Sequence, residues 1–155
     1  MSQLALIRPH DWTIPLFVHI FGAMLLVGAL ALTAISLIAA WRSNSGPLTR
    51  LGFMSLFYGV IPGWIIMRGG AQWIAHKEGL DNDNVNLSWL DIGFTMADLG
   101  FVLLIACTIV GGLTVRRIKR TGSPSPIPVR AATGLVSLLL VGYLVAVWAM
   151  TTKPT

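Results

Sequence analysis

Charge is what this chain has least of. Only 11% of its 155 residues are Asp, Glu, Lys or Arg, against roughly a quarter in an ordinary water-soluble domain. It has one cysteine, Cys107, which excludes an internal disulfide and any C-x-x-C metal or redox site. There is no G-x-S-x-G, no H-E-x-x-H and no phosphate-binding loop. Enzymatic activity therefore has no motif to carry it, and the expectation leans away from an enzyme. The net charge of +5 does not point to nucleic acid either. Its basic residues gather in Arg116, Arg117, Lys119 and Arg120, immediately after an apolar run and without base-reading neighbours. Anionic lipid headgroups are the expected contact.

What the chain does have is apolar sequence, 55% of it, in four runs: Ile14–Trp41, Leu51–Ile74, Trp89–Val115 and Ala131–Met150. Each is long enough to cross the roughly 30 Å hydrocarbon core as a helix. The expected fold class is all-α, an antiparallel bundle of four transmembrane helices forming one domain over residues 1–155, with no room for a separate soluble domain. The first run is much longer than the roughly 7–15 residues of a signal-peptide core, and Arg42 and Arg50 follow it, so it reads as a retained helix.

Orientation follows from the short connections. One side carries Arg42, Arg50, Arg116, Arg117, Lys119, Arg120 and Arg130; the other carries Arg8, Lys77 and Lys153 among Asp11, Glu78, Asp81 and Asp83. The positive-inside rule assigns the first set to the cytoplasm. The expectation is a multi-pass protein of the bacterial cytoplasmic membrane with both termini outside.

Local features refine this picture. Met1–Thr13 reads as an interfacial lead-in, Ser43–Arg50 as a tight turn, and Gly79–Leu87 as a solvated loop. That loop lacks the glycine and glutamate that an EF-hand needs at its sixth and twelfth positions. Pro62, Gly63, Gly69 and Gly70 predict a kink or local irregularity in the second span. Gly22 and Gly28 predict close packing of the first. Arg116–Arg130 reads as a basic loop, extended over Ser123–Pro128. Tyr143 and Trp148 read as interface anchors near the outer end of the fourth span.

Polar residues inside the spans are the candidate site. Arg68, Gln72 and His76 fall at i, i+4 and i+8, one stripe of a helix; Asp91, Thr95 and Asp98 fall at i, i+4 and i+7, another. At 1.5 Å per residue, Arg68 lies about 9 Å inside the outer boundary, Asp98 about 13 Å, His19 about 7 Å and Asp91 about 3 Å. An Arg68–Asp98 ion pair is expected, with Asp91 and His76 as a shallower couple, because a lone charge at such depth costs several kcal/mol. The His19 ring is expected to face the second or third span near Gln72, Asp91 or Thr95, with Gly22 leaving room beside it.

The run His19, Gly22, Gly28 (H-x-x-G-x-x-x-x-x-G) resembles the first helix of small bacterial membrane proteins related to the copper-resistance D family, with Leu26 where that group carries Trp. Ala71–Leu80 and Trp89–Gly93 are similar to four-helix proteins of actinobacteria that carry no assigned activity. The copper-resistance resemblance implies a membrane protein binding a b-type haem or a metal through His19, with His76, Met67 or Met96 as a second axial ligand.

Three functions fit these residues. The first is a non-enzymatic membrane component, a homo-oligomer or a subunit beside other membrane proteins. The second is a redox or metal protein built on His19, and the third a small transporter or proton-conducting bundle.

Overall fold

Between the first two spans the turn needs only Asn44 and Ser45. Asn44 takes a positive φ of 49°, a conformation asparagine tolerates better than most residues, and the Ser45 hydroxyl caps the next helix by accepting from Leu48 N–H. The computed structural model of the chain describes residues 13–78, 88–122 and 126–152, and their side chains except those at 78, 88–92, 126, 150 and 152. Its helices are α1 (Thr13–Ser43), α2 (Gly46–Ser55), a π-helical turn (Leu56–Val60), α3 (Ile61–Glu78), α4 (Ser88–Thr121) and α5 (Pro126–Thr152). Four continuous rods result, each long and apolar enough to cross a membrane: Thr13–Ser43, Gly46–Lys77, Gly93–Thr121 and Ile127–Ala149. Among the described residues there is no strand.

The helices outrun the apolar runs that foretold them. Arg116–Thr121 continues α4 and is not the start of a loop. The helix stops at Gly122, whose φ of 75° and N–H bond to the Ile118 carbonyl form a left-handed C-cap. The extended conformation expected over Ser123–Pro128 does not hold from Pro126 on. Pro126 and Pro128 sit in the first turn of α5, where proline's missing N–H costs no intrahelical bond. Gly46 and Pro47 open α2 in the same way. The lead-in before Thr13, the loop over Gly79–Leu87 and residues 123–125 lie outside the described residues.

The irregularity expected in the second span is the π-helical turn, closed by Ile61 N–H bonding back to the Leu56 carbonyl. Pro62 follows directly, and the extra residue absorbs the hydrogen bond proline cannot donate.

α1 lies at the centre, packed on α3 along one side and on α5 along another; α4 packs on α5, and α3 touches α4 through only a few side chains. The α1–α3 crossing is built from glycine against backbone. A Cβ at Gly63 would stand 2.7 Å from Leu26 N; at Gly70, 2.6 Å from His19 N; at Gly22, 2.7 Å from Met67 Cα. Residue numbers rise along α1 as they fall along α3, so the two run antiparallel. α4 turns a small-residue face inward, with Ala97, Gly100, Leu104, Cys107, Gly111 and Thr114 buried. Gly111 receives the Phe53 ring and Gly100 the Tyr143 phenol. Leu26, Leu30, Leu37, Leu56, Leu104 and Leu139 fill the space between the rods. Gly28 does not contribute to this packing; it is exposed, with open space where a Cβ would be.

Candidate functional site

The first cluster comes from the outward stripe of α3. Arg68 and Gln72, one turn apart, are joined by a hydrogen bond in which the guanidinium Nη1–H donates to Gln72 Oε1 at 2.9 Å. Nη2 of the same side chain reaches Asp98 Oδ1 at 3.3 Å. The guanidinium also lies over the Phe94 ring, 4.6 Å from its centroid. Cation–π contact of this kind gains strength where water is scarce. Arg68 thus bridges two helices that are otherwise barely in contact. Asp98 is the unusual member: its side chain is 64% exposed, against 24% for Arg68. Thr95, one turn away, is also exposed. His76 lies two turns beyond Arg68 along α3 and is exposed. The side chain of Asp91 lies outside the described residues, so the expected Asp91–His76 couple does as well.

The second cluster is the partly buried His19. Its Nδ1–H donates to the Met67 carbonyl at 2.9 Å; a carbonyl only accepts, so Nδ1 carries a proton, and in the neutral tautomer Nε2 is then the acceptor. The Asp91 side chain, expected near the ring, lies outside the described residues. The ring faces the second span, where the Met67 backbone carbonyl is its hydrogen-bond partner in place of Gln72 or Thr95. The reason is the glycine crossing. Gly70 lets the α3 backbone lie against His19 itself, which brings a carbonyl nearer than any side chain of the Arg68 stripe. Gly22 meets Met67 rather than making room for the ring. An imidazole with Nδ1 bound to a carbonyl and Nε2 free is in the tautomer that ligates metals or haem iron. His76 is six residues past Gly70, about 9 Å further along the helix axis than His19. The Met96 methyl is packed against Gly142 of α5. Among the described residues no three His, Cys, Asp or Glu side chains gather as a metal would require.

Two residues in this region were not singled out by sequence for it. Trp64 donates its indole N–H to the Ala97 carbonyl at 3.1 Å and stacks on Phe101 at 4.3 Å, forming another link between α3 and α4. Tyr143 is 3% exposed, so it is not an interface anchor. Its hydroxyl reaches over Gly100 and finds no hydrogen-bond partner among the described residues. The signal for Tyr143 was present as a polar ring on one span and a glycine on its neighbour, but matching them needs the packing order of the helices. Beyond the Trp64–Phe101 stack, an apolar window of about 220 Å³ opens between α3 and α4, lined by Ile61, Trp64, Leu104, Ile105, Thr108 and Ile109 among others.

The structure therefore joins Arg68, Gln72 and Asp98, and leaves His19, on α1, packed against the opposite face of α3. The chain matches no protein-family model, no curated protein and no solved structure.

Proposed function

We propose that the protein is a non-enzymatic component of a bacterial cytoplasmic membrane that assembles with other membrane proteins through the face shared by α3 and α4. The observation that carries this reading is the exposed carboxylate of Asp98. It belongs to an apolar helix, about 13 Å along the axis from Trp89, yet 64% of its side chain faces away from the bundle. A charge held toward hydrocarbon costs several kcal/mol unless something polar covers it. Arg68 covers one side only, and a neighbouring protein supplies the rest. A conduction path through the bundle is the weaker reading, because His19, on α1, packs against the face of α3 opposite Arg68 and the two do not form one line. Extraction from native membranes into polymer nanodiscs, without detergent, should give a particle holding more than the 16.7 kDa protomer, and Asp98→Leu should shift it toward a single copy. A lone wild-type protomer would overturn the assignment.

The proposed orientation puts both termini outside, with the basic ends of α1 and α4 in the cytoplasm. The support is the unequal division of Lys and Arg between the two ends of the rods. With Cys107 replaced by alanine, an impermeant thiol reagent added to intact cells should label Thr13→Cys and spare Thr121→Cys. Labelling in the opposite sense would invert the topology.

A further inference from the structure

The α3–α4 face has a shape and charge that say what covers it. On α3, Ile61, Ile65, Arg68 and Gln72 form one stripe at helical spacing; on α4, Asp98, Val102, Ile105 and Ile109 form another. Ile65, Val102, Ile105 and Ile109 are exposed, and so are Gln72 and Asp98. The α4 stripe lies about two residues, or roughly 200° around the helix, from the buried face holding Ala97, Gly100, Leu104 and Cys107, so it faces away from the core, along the α3 side of the helix. The two stripes flank the apolar window and open on the same side of the molecule. Near one end of this face, a cation on α3 sits beside an anion on α4, 3.3 Å apart.

A positive and a negative group side by side at one height complement themselves under a particular operation. Rotate a second copy by 180° about an axis along the membrane normal and bring the same faces together. Each α3 then stands opposite the other copy's α4, so Arg68 of each copy meets Asp98 of the other. Four charges alternate in sign around a ring, and no like pair is adjacent across the interface. The same rotation preserves the orientation of both copies in the membrane and makes the interface isologous, the same patch on each copy. Gln72 adds to the match. Its carbonyl already takes Arg68 Nη1, which leaves its amide N–H groups to serve an acceptor on the second copy, and an Asp98 oxygen of that copy is one. Below the charges, the exposed isoleucines of one copy lie against the window of the other, where apolar packing replaces lipid.

We infer that a second copy of this chain covers the α3–α4 face, in a parallel two-fold dimer held by a ring of two Arg68 and two Asp98 side chains. This rests on the assembly reading above and names the partner for it.

Differently tagged copies expressed together test the inference. In a Cys107→Ala background, one copy carries Ile65→Cys and the other Val102→Cys. Both sites are exposed and each lies one turn below its charged residue, so neither change disturbs the core. Copper-phenanthroline oxidation in membranes should yield an adduct bearing both tags, while copies carrying Leu138→Cys, exposed on α5, should yield none. Adding Asp98→Leu to both copies should reduce the mixed adduct at least several-fold. Adducts only with proteins of another size would overturn the second copy as partner and leave assembly standing. So would a native mass above one protomer without a mixed adduct. No adduct together with the mass of a lone protomer would overturn both.

Discussion

Gly70→Val is expected to be among the most damaging single substitutions in the described helices. It should lower stability by more than about 3 kcal/mol, above the usual range for overpacking, because what it strikes cannot rotate away. A Cβ at position 70 would lie 2.6 Å from His19 N and 2.7 Å from His19 Cα. α1 and α3 would have to separate, and the His19–Met67 hydrogen bond depends on that same closeness. Gly63→Val should behave alike, since its Cβ would stand 2.7 Å from Leu26 N. The adjacent Gly69 is the control. It is exposed, and a Cβ added there would meet nothing within 4 Å. Gly69→Ala should be neutral or stabilise by up to about 1 kcal/mol through helix propensity. Thermal unfolding of the detergent-solubilised variants, followed by helical circular dichroism, separates the two cases. Equal effects at 69 and 70 would mean that the α1–α3 crossing is looser than described.

That contrast shows what a sequence of this kind discloses. Pro62, Gly63, Gly69 and Gly70 announce an unusual second span, and hydropathy locates all four rods. Neither says that Gly70 supports a helix crossing while Gly69 faces outward, because that depends on which side α1 occupies. Helix ends read from hydropathy come out too short for a related reason. Hydropathy marks where the surrounding medium changes, whereas a helix ends where its backbone hydrogen bonds do, and α4 runs through Arg116, Arg117, Lys119 and Arg120 before Gly122 stops it. Its 34 residues span about 51 Å, longer than a bilayer of 40–45 Å including headgroups.

The candidate site divides along the same line. Arg68 and Asp98 are legible as a pair because depth and helical spacing are one-dimensional quantities, available from residue numbers. The partner of His19 is not, because it is a backbone carbonyl exposed to the ring by a glycine on another helix. Tyr143 looks like an anchor when its height along the helix is counted without its direction. Helix neighbours are hidden in the same way. A short connection suggests that the second and third spans pack together, yet α3 packs chiefly on α1, and α4 on α5. Trp64 and Arg68 reach across the space left between them, which is why so exposed an ion pair spans it.

The ion pair gives the second large effect, and its sign pattern is more informative than its size. Asp98→Leu leaves the Arg68 guanidinium, 24% exposed, without its counter-charge in an apolar setting. Arg68→Leu leaves Asp98 facing hydrocarbon alone. Each single change should cost about 2–3 kcal/mol, the scale on which a membrane helix pays for an unpaired charge. The double variant Arg68→Leu/Asp98→Leu should lose less than either, about 1 kcal/mol or under, since replacing a low-dielectric ion pair by two apolar side chains removes the desolvation cost together with the attraction. The coupling across the double-mutant cycle should then be at least about 3 kcal/mol, far beyond the roughly 0.3–0.5 kcal/mol within which independent sites add. Additive losses would mean that the two charges are each satisfied elsewhere, by water or by different neighbours, and would remove the basis for reading them as one unit. Measured on the proposed dimer, the same cycle reports a further quantity: the double variant should regain protomer stability without regaining the assembly mass, because a leucine pair satisfies the lipid but offers a partner no charge to meet.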